Sequence, residues 1–314
     1  MMTNFLKKEI HLGLGCWSFG GTQWNGQAES DSLDAMQVCF DAGIRHFDTA
    51  AGYGKGESER IVGRFMKGKR EDIFLATKGR GGKEGGSKAL IRGLEKSLER
   101  LNTDCVDLFY IHWPNSDSDM RPLIEALEVE REKGRIRMIG VSNFTPEQIS
   151  QCKEVGTIDA LQHGYSLVWR RDEASVMPYC REQQIPLVTY SSLGQGILTG
   201  KFPRHPKLEG DDVRKTTVLF EADVWPLVYE ATESMKEVAE SVGRPLAHLA
   251  IQWTMRRAGV IAVLIGARNK QQALQNTTAV ADPVSQDVLD QLTIISDSLA
   301  SQLPNAKNIF RLNT

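Results

Sequence analysis

Cysteine is scarce in this 314-residue chain: Cys16, Cys39, Cys105, Cys152 and Cys180 are odd in number, far apart and form no CxxC pair. That spacing argues against a disulfide framework or a zinc ribbon and fits reduced thiols in a cytoplasmic protein. No stretch approaches the roughly 20 apolar residues of a membrane span. The opening MMTNFLKKEIHLGLG lacks the apolar core and cleavage site of a secretory leader. The net charge of −2 carries no basic excess, so neither nucleic acid nor a membrane surface is expected as a partner. There is no GxSxG nucleophile elbow and no P-loop. A dinucleotide fingerprint fails at GLGCWS, where Ser18 stands in the place of the third glycine. What remains is an ordinary globular composition, 41% hydrophobic and 25% charged.

Within it, short β-rich runs alternate with longer amphipathic stretches. Strands are expected at IHLGLGCW, RHFDTA, DIFLATKG, VDLFYIHW, IRMIGVSN, DALQHGYS, IPLVTYSS and VIAVLIGA. Most are continuously apolar, as parallel strands covered on both faces must be. Helical spacing fills the gaps, clearest where Leu90, Leu94, Leu98 and Leu101 recur behind Ser87, a candidate N-cap. Further helices are expected near 31–42, 57–67, 122–133, 146–154, 172–183, 269–280 and 285–301. Eight strand-then-helix units predict an α/β fold, a single (β/α)8 barrel over residues 1–314 with an N-terminal strand or hairpin and extra C-terminal helices. The open doubly wound sheet shares this rhythm, but eight evenly spaced units leave no second domain.

Barrel sites lie at the C-terminal ends of the strands. There the chain puts Asp48, Lys78 and His112 on three successive, otherwise apolar strands. Each alone has an ordinary explanation: a helix cap, a solvated lysine, a core histidine. Together they meet at one mouth. Burying Asp48 and Lys78 separately would cost several kcal/mol each, so they are expected to pair. Tyr53, five residues after Asp48, would then sit beside a fixed cation that draws its phenol toward the phenolate. The set reads as a tuned general acid facing a carbonyl, with His112 orienting the oxygen or relaying a proton. A metal-dependent barrel hydrolase is the rival, with His46, Asp48, His112 and His163 as ligands, but no HxH is present and Tyr53 and Lys78 would be unexplained.

GIRHFDTAAGYG, LATKG, DLFYIHWPN, GRIRMIGVSNF, VTYSSLGQGILTGK and GARNKQQALQN, in this order, resemble the motifs of the aldo-keto reductase superfamily over almost the whole chain. The likeness is nearer to bacterial members akin to potassium-channel β subunits than to mammalian aldose reductases. It implies NADP(H)-dependent reduction of a small aldehyde or ketone, with Asp48, Tyr53, Lys78 and His112 as the catalytic tetrad. Ser142, Asn143 and Gln162 would bind the nicotinamide carboxamide, and Tyr190 would stack on its ring beside Ser191. Leu193, Gly194, Gln195, Gly196 and Lys201 would wrap the pyrophosphate. Gly266, Arg268, Gln272, Gln275 and Asn276 would hold the adenosine end, while Cys16 and Trp17 would lie near the nicotinamide. Arg214 would clasp the cofactor or draw an anionic substrate, as would Arg204, His205 and Lys207. The substrate pocket would be formed by Trp17, Trp24, Tyr53, His112 and Trp113.

Two positions depart from the family pattern. Ser192 replaces a frequent proline, which would loosen its turn. Gln272 replaces an arginine of strongly NADP-selective members, which leaves NAD(H) open. No metal is expected, and oligomeric state is left open. The alternative function is a cofactor-sensing regulatory protein of the channel β-subunit type, with slow turnover.

Overall fold

The computed structural model describes residues 6, 10–21, 26–81, 86–115 and 118–311. Eight parallel strands close on themselves in sequence order. They are β1 His11–Gly15, β2 His46–Asp48, β3 Phe74–Gly79, β4 Val106–Ile111, β5 Ile136–Ser142, β6 Ala160–Gly164, β7 Leu187–Tyr190 and β8 Val260–Gly266. Every predicted strand run contains one. Closure is made by β1 on β8, with Gly13 opposite Leu264 and Gly15 opposite Gly266.

The continuous apolar runs work because both faces of each strand are buried. Phe74 and Ala76 of β3 point into the barrel with Leu108, Tyr110, Met138 and Val188. Leu75, between them, packs outward with Phe47, Phe109 and the helix leucines. The base of the barrel is tied by Asp107, buried on β4, which accepts from Leu75 N and pairs with Arg70 at 2.9 Å and Arg137 at 2.6 Å.

The outer helices are α1 Glu29–Asp41, α2 Glu57–Phe65, α3 Gly86–Leu101, α4 Arg121–Glu132, α5 Pro146–Lys153, α6 Val176–Glu182, α7 Trp225–Ser241, α8 Leu246–Met255, α9 Lys270–Thr277 and α10 Gln286–Ala300. The surplus between β7 and β8 holds α7 and α8, and α10 is the extra C-terminal helix. α5 starts on a full capping box, Thr145 with Gln148. Ser87 lies inside α3, not at its cap. The helix expected over 172–183 is broken into a short turn, Arg171–Ala174, and α6, because Ser175 leaves helical geometry at φ −136°. The expected N-terminal hairpin falls on residues 1–9, of which only Leu6, helical and buried in the barrel interior, is described. No helix among the described residues is long and apolar enough to cross a membrane.

Candidate active site

Asp48 ends β2 and Lys78 is the penultimate residue of β3, so neighbouring strands carry them to the same mouth. Their side chains pair directly, and both residues are almost fully buried. Burial favours neutral forms, so each charge needs its partners. Asp48 Oδ2 also accepts from Gln162 Nε2 at 2.9 Å, and Lys78 Nζ donates to Thr49 O at 2.9 Å. Burial works against the Lys78 ammonium, but the Asp48 carboxylate and the hydrogen bonds to Asp48 and Tyr53 outweigh it and hold the group above its ordinary pKa. It is therefore a fixed ammonium. Tyr110, whose ring lies 5.9 Å from Lys78 Nζ, floors the site. Gly140 makes room for it, since a Cβ there would stand 2.4 Å from the Tyr110 ring.

Lys78 Nζ reaches the Tyr53 hydroxyl at 3.5 Å. The turn that puts the phenol there is built on two glycines. Gly54 has φ +58°, and a Cβ on it would lie 2.1 Å from Gly20 O, so the Tyr53 turn rests backbone to backbone on the β1–α1 connection. Gly56 has φ +89° and abuts the Arg100 side chain. Burial raises the Tyr53 pKa more than Lys78 lowers it, with Asp48 adding to the rise. The expectation that Lys78 draws the phenol toward the phenolate is thus corrected. The lysine offsets only part of the burial cost, and Tyr53 remains a protonated acid. His112 meets the Tyr53 ring edge-on at 5.8 Å. Burial, then the Lys78 and Arg80 charges, push its pKa well below that of free histidine, so the imidazole is neutral.

Glu59, in the first turn of α2, does more than start that helix. Glu59 is fully buried, accepts from Thr77 Oγ1 at 2.6 Å and pairs with Arg100 at 2.6 Å. Ser58 Oγ donates to Cys16 O at 2.7 Å. These bonds brace the Tyr53 turn from behind. A charged residue at a helix N-terminus gives no sign in sequence of pointing inward.

The remaining expected residues line an arc from β5 to β8. Tyr190 donates to Asn143 Oδ1 at 2.8 Å, and Asn143 Nδ2 donates to Ser142 Oγ at 2.9 Å. Asn143 and Ser191 hold positive φ, 64° and 52°. Gln162 is tied to Asp48, so its amide group supports the tetrad. The turn at Ser192 is not loosened, because its buried hydroxyl bonds Thr189 Oγ1 at 3.1 Å. The Gly194–Thr199 turn has positive φ at Gly194, Gln195 and Gly196. Leu193 precedes it, half-buried against the core. Gln195 has both side-chain polar atoms buried without a hydrogen-bond partner among the described residues. Lys201 is pushed below its ordinary pKa by burial and then by the Arg214 and Arg268 charges, which shows the three cations share one field. Arg214 is braced by Asp212 and lies over the Phe202 ring at 5.1 Å.

Beyond β8, Asn276 Nδ2 holds Gly266 O at 3.0 Å, and Gln272 Oε1 accepts from Arg268 N at 3.0 Å. Gln272 thus shapes the Arg268 backbone. Gln275 is exposed one turn on. Gln27 is tied to this side as well. It donates to Arg268 O at 2.8 Å and accepts from Arg268 Nε at 3.2 Å. Cys16 is fully buried, its thiol directed at Leu14 O and its backbone N donating to Asp48 O at 2.8 Å.

Trp17 stacks on Tyr53 at 5.9 Å and Trp113 on His112 at 6.4 Å. Trp24 lies outside the described residues. Sequence reasoning missed Phe310, which stacks on Tyr190 at 6.3 Å and meets Trp17 and Trp113 edge-on at 5.6 and 6.3 Å. Its segment is anchored to the β7–α7 connection by Val218 N to Ile309 O and by Arg311 on Glu221. No local pattern in the tail announces this. The metal-ligand alternative is not assembled: His46 faces His11, and His163 lies between Asp172 and Phe144 O.

The family model described as Aldo/keto reductase family matches residues 11–297. Aldo-keto reductase YhdN of Bacillus subtilis (strain 168) is 35% identical over 304 residues, covering 92% of this chain and 91% of that protein. The NADH-specific methylglyoxal reductase of Escherichia coli (strain K12) is 30% identical, covering 86% and 89%. The crystal structure of an aldo-keto reductase from Klebsiella pneumoniae in complex with NADPH superimposes with a TM-score of 0.73 at 26% identity, covering 96% of this chain and 94% of that one.

Proposed function

The chain belongs to the aldo/keto reductase family, and from that premise we propose that it is an NADPH-dependent reductase of a small aldehyde or ketone, residues 1–314 acting as one cytoplasmic domain. Carbonyl reduction in general follows from the family. The cofactor and the residue roles are our reading. The observation that carries them is Lys78 buried between Asp48 and Tyr53 at the barrel mouth, with neutral His112 against the same phenol.

The residues present fit a dinucleotide. Gln195 has a buried amide group in want of partners, in a turn whose glycines leave the backbone open, and Lys201, Arg214 and Arg268 would be relieved of mutual repulsion by phosphate. Leu193, Gly194, Gly196 and Lys201 would wrap the pyrophosphate. Gly266, Arg268, Gln272, Gln275 and Asn276 would hold the adenosine end. Ser142, Asn143, Tyr190 and Ser191 would receive the nicotinamide. Three cations favour NADPH over NADH. When bound, the cofactor supplies hydride to the carbonyl carbon. Tyr53 gives its proton to the carbonyl oxygen as negative charge develops there. Lys78, fixed by Asp48, stabilises the phenolate left behind. His112 Nε2 or Nδ1 orients the oxygen as a neutral partner. Trp17, Trp113 and Phe310 exclude water from the substrate side.

Tyr53→Phe keeps the ring and its contact with Trp17 but removes the acid. Turnover is expected to fall at least about 100-fold, the usual worth of a general acid, with NADPH binding unchanged by fluorescence titration. Reductase activity near that of the unmodified enzyme would overturn the assignment.

A further inference from the structure

Arg80 is the first residue beyond β3, and neither the tetrad nor the cofactor reading uses it. Along β3 the side chains alternate: Phe74 and Ala76 lie in the barrel interior, and Lys78 enters the tetrad. Arg80 continues the same face. The chain keeps strand pairing up to this point, since His112 N donates to Gly79 O at 2.8 Å. Two residues of strand advance about 6.6 Å, so the arginine stands one step above Lys78, at the lip of the mouth. It is exposed, and it has no hydrogen bond or ion pair among the described residues. Its field nevertheless reaches Tyr53 and His112.

This cation is not part of the cofactor clasp. In an eight-stranded ring β3 lies opposite β7. Lys201 and Arg214 follow β7, and Arg268 follows β8. A dinucleotide whose phosphates lie among those three has its far end at Tyr190, and Arg80 faces it from the other side of the tetrad. Nor is a substrate cation site provided by Arg204, raised above from the sequence, because Arg204 pairs with Glu230 at 3.1 Å on the exposed face of α7. Among the described residues the walls beside the tetrad are the aromatic rings of Trp17, Trp113 and Phe310.

We propose that Arg80 selects the substrate: it takes an oxyanion, a carboxylate or a phosphate, carried a few bonds from the carbonyl that Tyr53 protonates. The inference rests on the reductase reading and deepens it from any small carbonyl to an anionic one. Guanidinium suits this role, since it presents a planar fork of donors and stays charged.

The test pairs each anionic aldehyde with its neutral analogue: succinic semialdehyde with butanal, glyceraldehyde 3-phosphate with glyceraldehyde. In the unmodified enzyme the anionic member is expected to have at least tenfold higher kcat/KM, about one charge-assisted contact. Arg80→Ala should abolish that preference through KM, leaving kcat, the neutral aldehydes and the NADPH dissociation constant within twofold. Arg80→Lys should restore part of it. Which pair shows the larger ratio tells carboxylate from phosphate. Equal effects of Arg80→Ala on charged and neutral members, or none on either, would overturn the proposal. A protein that oxidises NADPH with no aldehyde defeats the reductase reading instead. The proposal is then decided by calorimetric titration with succinate and butanol: tighter succinate binding, lost in Arg80→Ala, supports it, and equal binding overturns it.

Discussion

Tyr53 and His112 owe their protonation states to burial more than to each other. Tyr53 is held above the ordinary phenol value, with burial the largest cause and Lys78 only partly offsetting it. His112 is held well below the ordinary imidazole value by burial, Lys78 and Arg80. The signs fix a pH profile. A raised tyrosine keeps its proton up to and beyond about pH 10, and a depressed histidine stays neutral above about pH 6. Reductive kcat/KM is therefore expected to be flat from about pH 6.5 to pH 9 and to fall only on the alkaline side. An ionisation close to the free imidazole value that vanishes in His112→Gln would show a titrating histidine and defeat this reading.

The pairing of Asp48 with Lys78 was legible from the residues, because two buried charges on adjacent strand ends have no better partner. The sense of the Tyr53 shift was not, because it depends on how deeply the phenol is buried.

The turn between β2 and α2 carries Tyr53, the acid we propose. Its sequence shows three glycines after Asp48, at 52, 54 and 56, but they are not equivalent. Gly52 has an ordinary φ of −76° and nothing near its absent side chain, so it is not required. Gly54 is required twice, by its φ of +58° and by the Gly20 backbone against it. Gly54→Ala should therefore displace Tyr53 from Lys78. A misplacement of about 1 Å costs on the order of 100-fold in rate, and kcat should fall by that order while NADPH affinity changes little; thermal stability should fall as well, since a methyl group at positive φ against backbone costs about 1 kcal/mol or more. An unchanged kcat would show that the turn tolerates the methyl group and that Tyr53 is positioned by other contacts. The second contact partner, Gly20, lies 34 residues earlier, which is why the sequence could suggest a tight turn but not its seat.

At the scale of the molecule, the barrel divides labour between its two halves. β2 to β4 bring Tyr53, Lys78 and His112, whereas β5 to β8 bring the residues we assign to a dinucleotide. Binding should then stabilise the whole fold by mass action, about 2.7 kcal/mol at a hundred times the dissociation constant. NADPH is expected to raise the melting temperature more than NADH at equal concentration, and Arg268→Ala should shrink the difference. Equal shifts with the two cofactors in the unmodified protein would remove the case for a 2′-phosphate site. The C-terminal segment joins the halves, since Phe310 touches Tyr190 on one side and Trp17 and Trp113 on the other.

The eight-unit alternation, the strand positions and the four polar residues at the mouth follow from the chain read residue by residue. Period and burial pattern are local, and a charge at the end of an apolar strand stands out against its neighbours. Which groups are held, and by what, is settled by the closed barrel. It buried Cys16 in the core, turned Glu59 inward as a brace, tied Gln27 to Arg268, and brought Phe310 from the tail onto Tyr190. It also left Arg80 at the end of β3, one step beyond Lys78 on the same face. These depend on contacts between residues up to 241 positions apart, set by closure of the ring and not by any pattern along the chain.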